Sequence, residues 1–158
     1  MIKNSKQLTL TKKKIAAFAS PIELLQLEGS TLSPLLAKAQ LDALVCQQAV
    51  LIEQVATYEQ LLTGDFTVFD VEDITDLPKA LIMSRISLGL SQKKLAERLG
   101  MKEQQIQRYE NTEYASASFA RLASIIDALG LKISQDIVLP KEVGNNHLST
   151  EKLKVSVG

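Results

Sequence analysis

Arg85-Ile-Ser-Leu-Gly-Leu-Ser-Gln92, Lys93-Lys-Leu-Ala-Glu-Arg-Leu-Gly-Met101 and Lys102-Glu-Gln-Gln-Ile-Gln-Arg-Tyr-Glu110 follow one another without a break. Their punctuation decides the fold. Ser91 is a good N-cap, because its hydroxyl can accept from a free amide of the first helical turn. After it, Leu95, Ala96 and Leu99 recur at helical spacing and form a narrow apolar stripe. Ala96 is small where a second helix must approach. Gly100 ends the helix, since Gly accepts a left-handed C-terminal position without a Cβ penalty. Only Met101 and Lys102 precede a second periodic run, with Ile106 and Tyr109 inward and Glu103, Gln104, Gln107 and Arg108 outward. So short a connection holds two helices at a steep angle, the helix-turn-helix arrangement. Upstream, Asp76 or Leu77 caps a further helix, with Pro78 in its first turn, where a missing amide hydrogen costs nothing. Leu81, Ile82, Ile86 and Leu88 make its buried face, and Gly89 stops it.

This arrangement offers Lys102 to Arg108 to the major groove of double-stranded DNA. Gln104 can hold adenine through paired hydrogen bonds, Arg108 or Lys102 can hold guanine, and Glu103 can accept from cytosine N4. Gln107 shares the outward face. Gln92 and Lys93, at the start of the preceding helix, can grip phosphate. The run R-I-x-L-G-L-S-Q, then K-K-L-A-E-R-L-G and I-Q-R-Y-E, resembles the lambda-type phage repressors and the wider Xre-like bacterial regulators. That resemblance implies a five-helix domain whose helix after Gly100 reads bases. It implies that Gln92 fixes the domain on the DNA backbone, and that Arg85 and Glu110 form a buried ion pair between the first and third helices. One departure stands out: the family often has Gly soon after that Glu, and here the run is Asn111-Thr112-Glu113. Asn111 is the candidate DNA contact of that loop.

Composition sets the bounds. A length of 158 residues suffices for one ordinary domain or two small ones with a real core. Aromatics make up 4% and Trp is absent, which favours helices built from Leu, Ile and Ala. No signal peptide is read at the start, and no stretch is read as the roughly 20 apolar residues that span a membrane. One Cys and one His exclude an internal disulfide framework and a zinc site, and no cofactor is expected. No phosphate loop or nucleophile motif appears, so an enzyme is not expected. Cys46 reads as a small packing residue. A cytoplasmic, nucleoid-associated location follows. The formal net charge of zero hides an asymmetry: residues 39–78 carry eight acids and no base, while 79–158 carry twelve bases and eight acids. A neutral protein can therefore turn a basic face to phosphate.

The remainder reads as helices around that motif. Residues 1–10 suggest a short strand or loose arm, and Thr11 caps a helix from Lys12 to about Ala19. Beyond it, Pro21 either kinks that helix or opens a second one capped by Ser20. Ser33-Pro34 starts the longest helix, ending near Leu62, about 43 Å at 1.5 Å per residue. Leu41, Leu44, Gln48, Leu51, Val55, Tyr58 and Leu62 alternate three and four apart along it. Pairing with a second copy would cover that stripe in a homodimer, and an intrachain hairpin with the first helices is the alternative. Phe66 to Phe69 and Lys132 to Leu139 read as two short β-type runs. Ser116 or Ser118 caps a helix with Phe119, Leu122, Ile125, Ile126 and Leu129 inward.

The expected fold is mainly α: an N-terminal helical dimerisation region (1–69), a linker (70–76), a five-helix lambda repressor-like domain (77–140) and a mobile tail (141–158). Two functions fit. One is a homodimeric transcriptional regulator, a repressor acting on an inverted-repeat operator. The other is an antitoxin that autorepresses its operon and binds a toxin protein. The start Ile2-Lys-Asn4, Thr11-Lys and the late helix-turn-helix are similar in plan to small HigA-like regulators.

Overall fold

The computed structural model describes residues 1–27 and 33–134. Among them the chain forms seven α-helices and no strand. These are α1 (Ser5–Ala17), α2 (Ala19–Leu27), α3 (Pro34–Leu62), α4 (Leu77–Ser87), α5 (Gln92–Arg98), α6 (Glu103–Asn111) and α7 (Phe119–Leu129). A 3-10 turn, Ile74–Asp76, leads into α4.

The start of the chain differs from the strand or arm expected over 1–10. Asn4 Oδ1 accepts from the Gln7 amide at 2.9 Å, and Gln7 Oε1 accepts from the Lys3 amide at 2.8 Å. This reciprocal pair satisfies the Gln7 amide of the first turn and the Lys3 amide just ahead of the Asn4 cap, so the helix begins before Thr11. Pro21 lies in the first turn of a separate helix, α2, but Ser20 does not cap it: the helix begins at Ala19, directly after Phe18. α3 keeps the expected limits, with Pro34 in its first turn and Thr63 as its C-cap. Gly64 follows at φ +72°, and a Cβ there would sit 3.4 Å from the Ser87 carbonyl oxygen. Gly both takes that left-handed conformation and lets the chain pass close to the end of α4.

α3 corrects the expectation that no stretch could span a membrane: by length and composition it is long and apolar enough to do so. Its C-terminal turn nonetheless belongs to the protein core, through Tyr58 and Leu61. α1 lies along its flank, with Lys12 Nζ 2.5 Å from Glu59 Oε1 and Gln48 Nε2 donating to the Ile15 carbonyl at 3.3 Å. Of the alternating stripe, Tyr58 is buried, Leu41, Leu44, Gln48, Leu51 and Val55 are half-buried, and Leu62 is exposed. Much of the stripe is therefore covered within one chain. Leu35, Leu36, Val45, Val50 and Ile52 are exposed on other flanks, and so is Cys46, which was expected to pack.

The core lies where α4, α5, α6 and α7 meet. Leu81, Ile82 and Ile86 of α4 pack with Leu95 and Ala96 of α5, Ile106 of α6, and Ile125 and Leu129 of α7. Burial of such side chains is worth about 1.5–3 kcal/mol each before entropy is counted. Ile2, Tyr58 and Leu61 join the same cluster, so core residues stand on both sides of residues 70–76. Ser87 Oγ donates to the Leu61 carbonyl at 3.1 Å and docks α3 on α4.

Four further expectations are corrected. The described part of residues 77–140 holds four α-helices, not five. Phe66 to Phe69 forms no strand, and no strand stands beside it among the described residues; the two Phe rings stack at 5.4 Å and pack on the core. Lys132 to Ser134 also forms no strand, and the rest of that run and the tail lie outside the described residues. Leu88 and Phe119 were expected inward but are 51% and 77% exposed. Leu88 is the C-cap of α4 and Phe119 is the first residue of α7, so each sits at the end of its helix.

Tyr114 is 3% exposed, and its hydroxyl has no hydrogen-bond partner among the described residues. Burial pushes that hydroxyl well above its ordinary pKa; the Glu110 charge pushes the same way and Arg85 opposes it. Tyr114→Phe is expected to raise stability by about 1 kcal/mol, because it removes an unmade hydrogen bond and little packing. The raised pKa means that the folded state holds the proton more tightly than the unfolded state. Stability is thus full below about pH 10 and falls as pH rises beyond it. Urea midpoints at pH 8 and pH 11 check this: the Phe variant should lose less between the two. A lower midpoint for the variant at pH 8 would refute it.

Candidate nucleic-acid interface

α5 and α6 are set against each other by local chemistry. Ser91 Oγ accepts from the Lys94 amide at 3.1 Å and opens α5. Gly100, at φ +63°, closes it, and the Met101 amide returns to the Ala96 carbonyl at 2.9 Å. Ala96 is 1% exposed beside fully buried Leu95 and Ile106, so a larger side chain there would push α5 off its partners. Gln105 Oε1 accepts from the Lys102 amide at 3.4 Å as α6 begins. Arg98 Nη1 donates to the Ala128 carbonyl at 2.9 Å and ties α5 to α7.

The outward side of this pair carries the residues expected to meet DNA. Lys93, Lys102, Glu103, Gln104, Arg108 and Asn111 are exposed. Gln107 is half-buried, and its Nε2 donates to Glu103 Oε1 at 2.9 Å, so these two occupy one another. Gln104 and Arg108 stand four residues apart on one face of α6, and neither side chain bonds another described residue. Gln92 is placed differently. It is 4% exposed, with Nε2 donating to Glu110 Oε2 at 2.8 Å and Oε1 accepting from Asn4 Nδ2 at 3.1 Å. Both atoms of its side-chain amide are thus engaged by protein partners.

Behind the surface lies a buried charge cluster. Arg85 Nε donates to Glu110 Oε1 at 2.6 Å and Nη2 to Oε2 at 2.8 Å, with the two residues 3% and 0% exposed. Arg85 Nη1 donates to the Leu90 carbonyl at 2.6 Å and Nη2 to the Lys3 carbonyl at 2.8 Å. Lys3 Nζ donates to the Glu110 carbonyl. The two-point fork fixes α4 to α6 in orientation as well as distance. Lys3, of a residue type usually found on the surface, is buried here. Lys3 and Asn4 are the functional neighbours the sequence reading missed, and the Asn4-x-x-Gln7 spacing was the one available signal.

Residues 81–135 match a family model described as Helix-turn-helix. This segment is an Xre-type, lambda repressor-like helix-turn-helix domain. No curated protein and no solved structure matches the chain. A domain of this type supports a DNA-binding transcription regulator, with DNA as its partner. The family is one of regulators and is not typically enzymatic.

The Gly that the family resemblance leads one to expect soon after Glu110 is absent, and the backbone there takes left-handed values. Glu113 and Tyr114 take φ of 48° and 57°, left-handed values that a side chain disfavours. The Tyr114 amide closes the turn on the Tyr109 carbonyl at 2.7 Å, and the two Tyr rings stack at 6.1 Å. Glu113→Gly removes a Cβ from a left-handed position and is expected to raise stability by about 0.5–1 kcal/mol. Thermal melting checks it, and a melting point below wild type would refute the strain.

Proposed function

We propose that this protein is a homodimeric repressor that reads an inverted-repeat operator from the cytoplasmic, nucleoid-associated pool. The observation that carries the reading is the pair Gln104 and Arg108, exposed one helical turn apart on α6 and backed by a rigid, buried ion pair. Such residues can make two-point contacts with adenine and guanine edges. Lys93 and Lys102 are exposed on the same motif and suit phosphate, while Glu103, held by Gln107, can accept from cytosine or reject wrong bases. Asn111 stands exposed where α6 ends and suits a flanking phosphate. The exposed apolar flank of α3 supports a dimer, because a second copy would remove Val45 and Ile52 from water. Symmetric pairing requires half-sites about 10 base pairs apart.

Selection from randomised duplexes tests the reading of bases. Gln104→Ala and Arg108→Ala should each lose about 1–3 kcal/mol on the selected site and relax preference at particular positions. Lys93→Ala should weaken all duplexes alike and lower the salt slope by about one. If both α6 variants return the wild-type motif unchanged, α6 does not read bases.

A second reading has its own support. Exposed Leu35, Leu36 and Val50 lie on different flanks of α3 from Val45 and Ile52, more surface than one symmetric helix covers. An antitoxin would use that surplus to hold a toxin protein. A chain that sediments as a monomer when alone would favour this reading over the dimer.

A further inference from the structure

The buried charge cluster is not closed by the helix-turn-helix domain on its own. Two of its groups come from the far end of the chain: the Lys3 ammonium donates to the Glu110 carbonyl, and the Asn4 amide donates to Gln92 Oε1 at 3.1 Å. Lys3 also receives a bond, through its carbonyl, from Arg85 Nη2 at 2.8 Å. Lys3 is 7% exposed and Ile2 2%. A lysine is rarely buried this far without specific partners, so its place is set by chemistry rather than by chance.

We infer that Lys3 and Asn4 are positioning residues of the DNA-reading surface, and that the first four residues form a strap holding α5 and α6 at their working angle. The inference rests on the DNA-binding reading of α6. Its geometry is direct. Gln92 is the first residue of α5 and is held from both ends of its amide, by Asn4 on one side and Glu110 on the other. Glu110 lies in the last turn of α6 and is held by Lys3 through its carbonyl. The strap thus links the first turn of one helix of the motif to the last turn of the other. Asn4 does a second task with its other atom, since Oδ1 caps α1 through the Gln7 amide. One side chain therefore joins the register of α1 to the seat of Gln92. Lys6 and Ser5 line the same cleft as Ser91, Glu103 and Gln107, so the strap enters α1 beside the reading face.

Asn4→Ser separates the two tasks, because serine keeps an oxygen to cap α1 and loses the amide donor to Gln92. Lys3→Met keeps the apolar stem and loses the ammonium, and Lys3→Arg keeps a donor. The readouts are thermal melting, the Gln92 side-chain amide signals by NMR in free protein, and affinity for the duplex that wild type selects. Asn4→Ser should lower the melting point modestly, because Gln92 Oε1 loses its donor, shift the Gln92 amide signals and, where both proteins are fully folded, bind about fivefold more weakly. Lys3→Arg should recover most of what Lys3→Met loses. Unchanged Gln92 signals in Asn4→Ser overturn the strap, and so does an affinity loss that merely follows the folded fraction. If wild type selects no duplex, the reading of α6 fails, while the Gln92 signals still decide the strap in free protein: a shift upholds it and no shift overturns it.

Discussion

Replacing Glu110 with alanine is expected to cost about 3–5 kcal/mol, enough to leave a typical domain near its unfolding threshold. The carboxylate is fully buried and takes two bonds from Arg85 and one from Gln92. Without it, the Arg85 guanidinium, 3% exposed, is left with no anion beside it, while Lys3 keeps the Glu110 backbone carbonyl. Arg85→Met should also destabilise, because it leaves the Glu110 carboxylate buried with only the Gln92 amide as donor. Arg85→Met combined with Glu110→Leu should cost less than the sum of the single changes. Urea unfolding of the two single variants and the double variant measures the coupling. Strictly additive losses would mean that the pair contributes nothing as a pair.

Val45→Asp together with Ile52→Asp is expected to turn a dimer into folded monomers and to weaken operator binding by about 10²–10⁴, the range gained when two sites are linked. The two residues are one heptad apart on α3 and 46% and 49% exposed, so charges there meet water in the single chain and an apolar surface only in a dimer. Leu51 and Val55 are poorer probes, because both are half-buried within the chain and an aspartate would damage the monomer itself. Sedimentation at micromolar concentration, with helical content as the folding control, reads the result. A wild-type chain that sediments as a monomer, or a double variant that binds operator as wild type does, overturns dimerisation through this face.

The reading of local punctuation went far where the chemistry is local. Ser91, Gly100, Pro78 and Ser118 each act at the helix end where they stand in sequence, and α3 runs from Pro34 to Leu62 as its limits suggested. Caps and turns depend on neighbours within four residues, so the sequence contains all the partners they need. The same logic explains a local miss: Asn4 and Gln7 carried a capping signal that the alternation around Leu8 and Leu10 concealed. Leu88 and Phe119 show the limit of periodicity, which names a face but not whether anything covers the end of it.

What the sequence by itself determined was the helix-turn-helix, its outward residues from Lys102 to Arg108 and, through family resemblance, the pairing of Arg85 with Glu110. Only the tertiary structure decided where Gln92 points, what becomes of Lys3, and which flank of α3 is spent on α1. Gln92 could have turned to phosphate or inward, and a helix start permits both. It turns inward because Glu110 and Asn4, 18 and 88 residues away in the chain, supply an acceptor and a donor at its two amide atoms. Side-chain satisfaction of this kind depends on groups that meet only after the chain has closed on itself, and no spacing along the sequence encodes it.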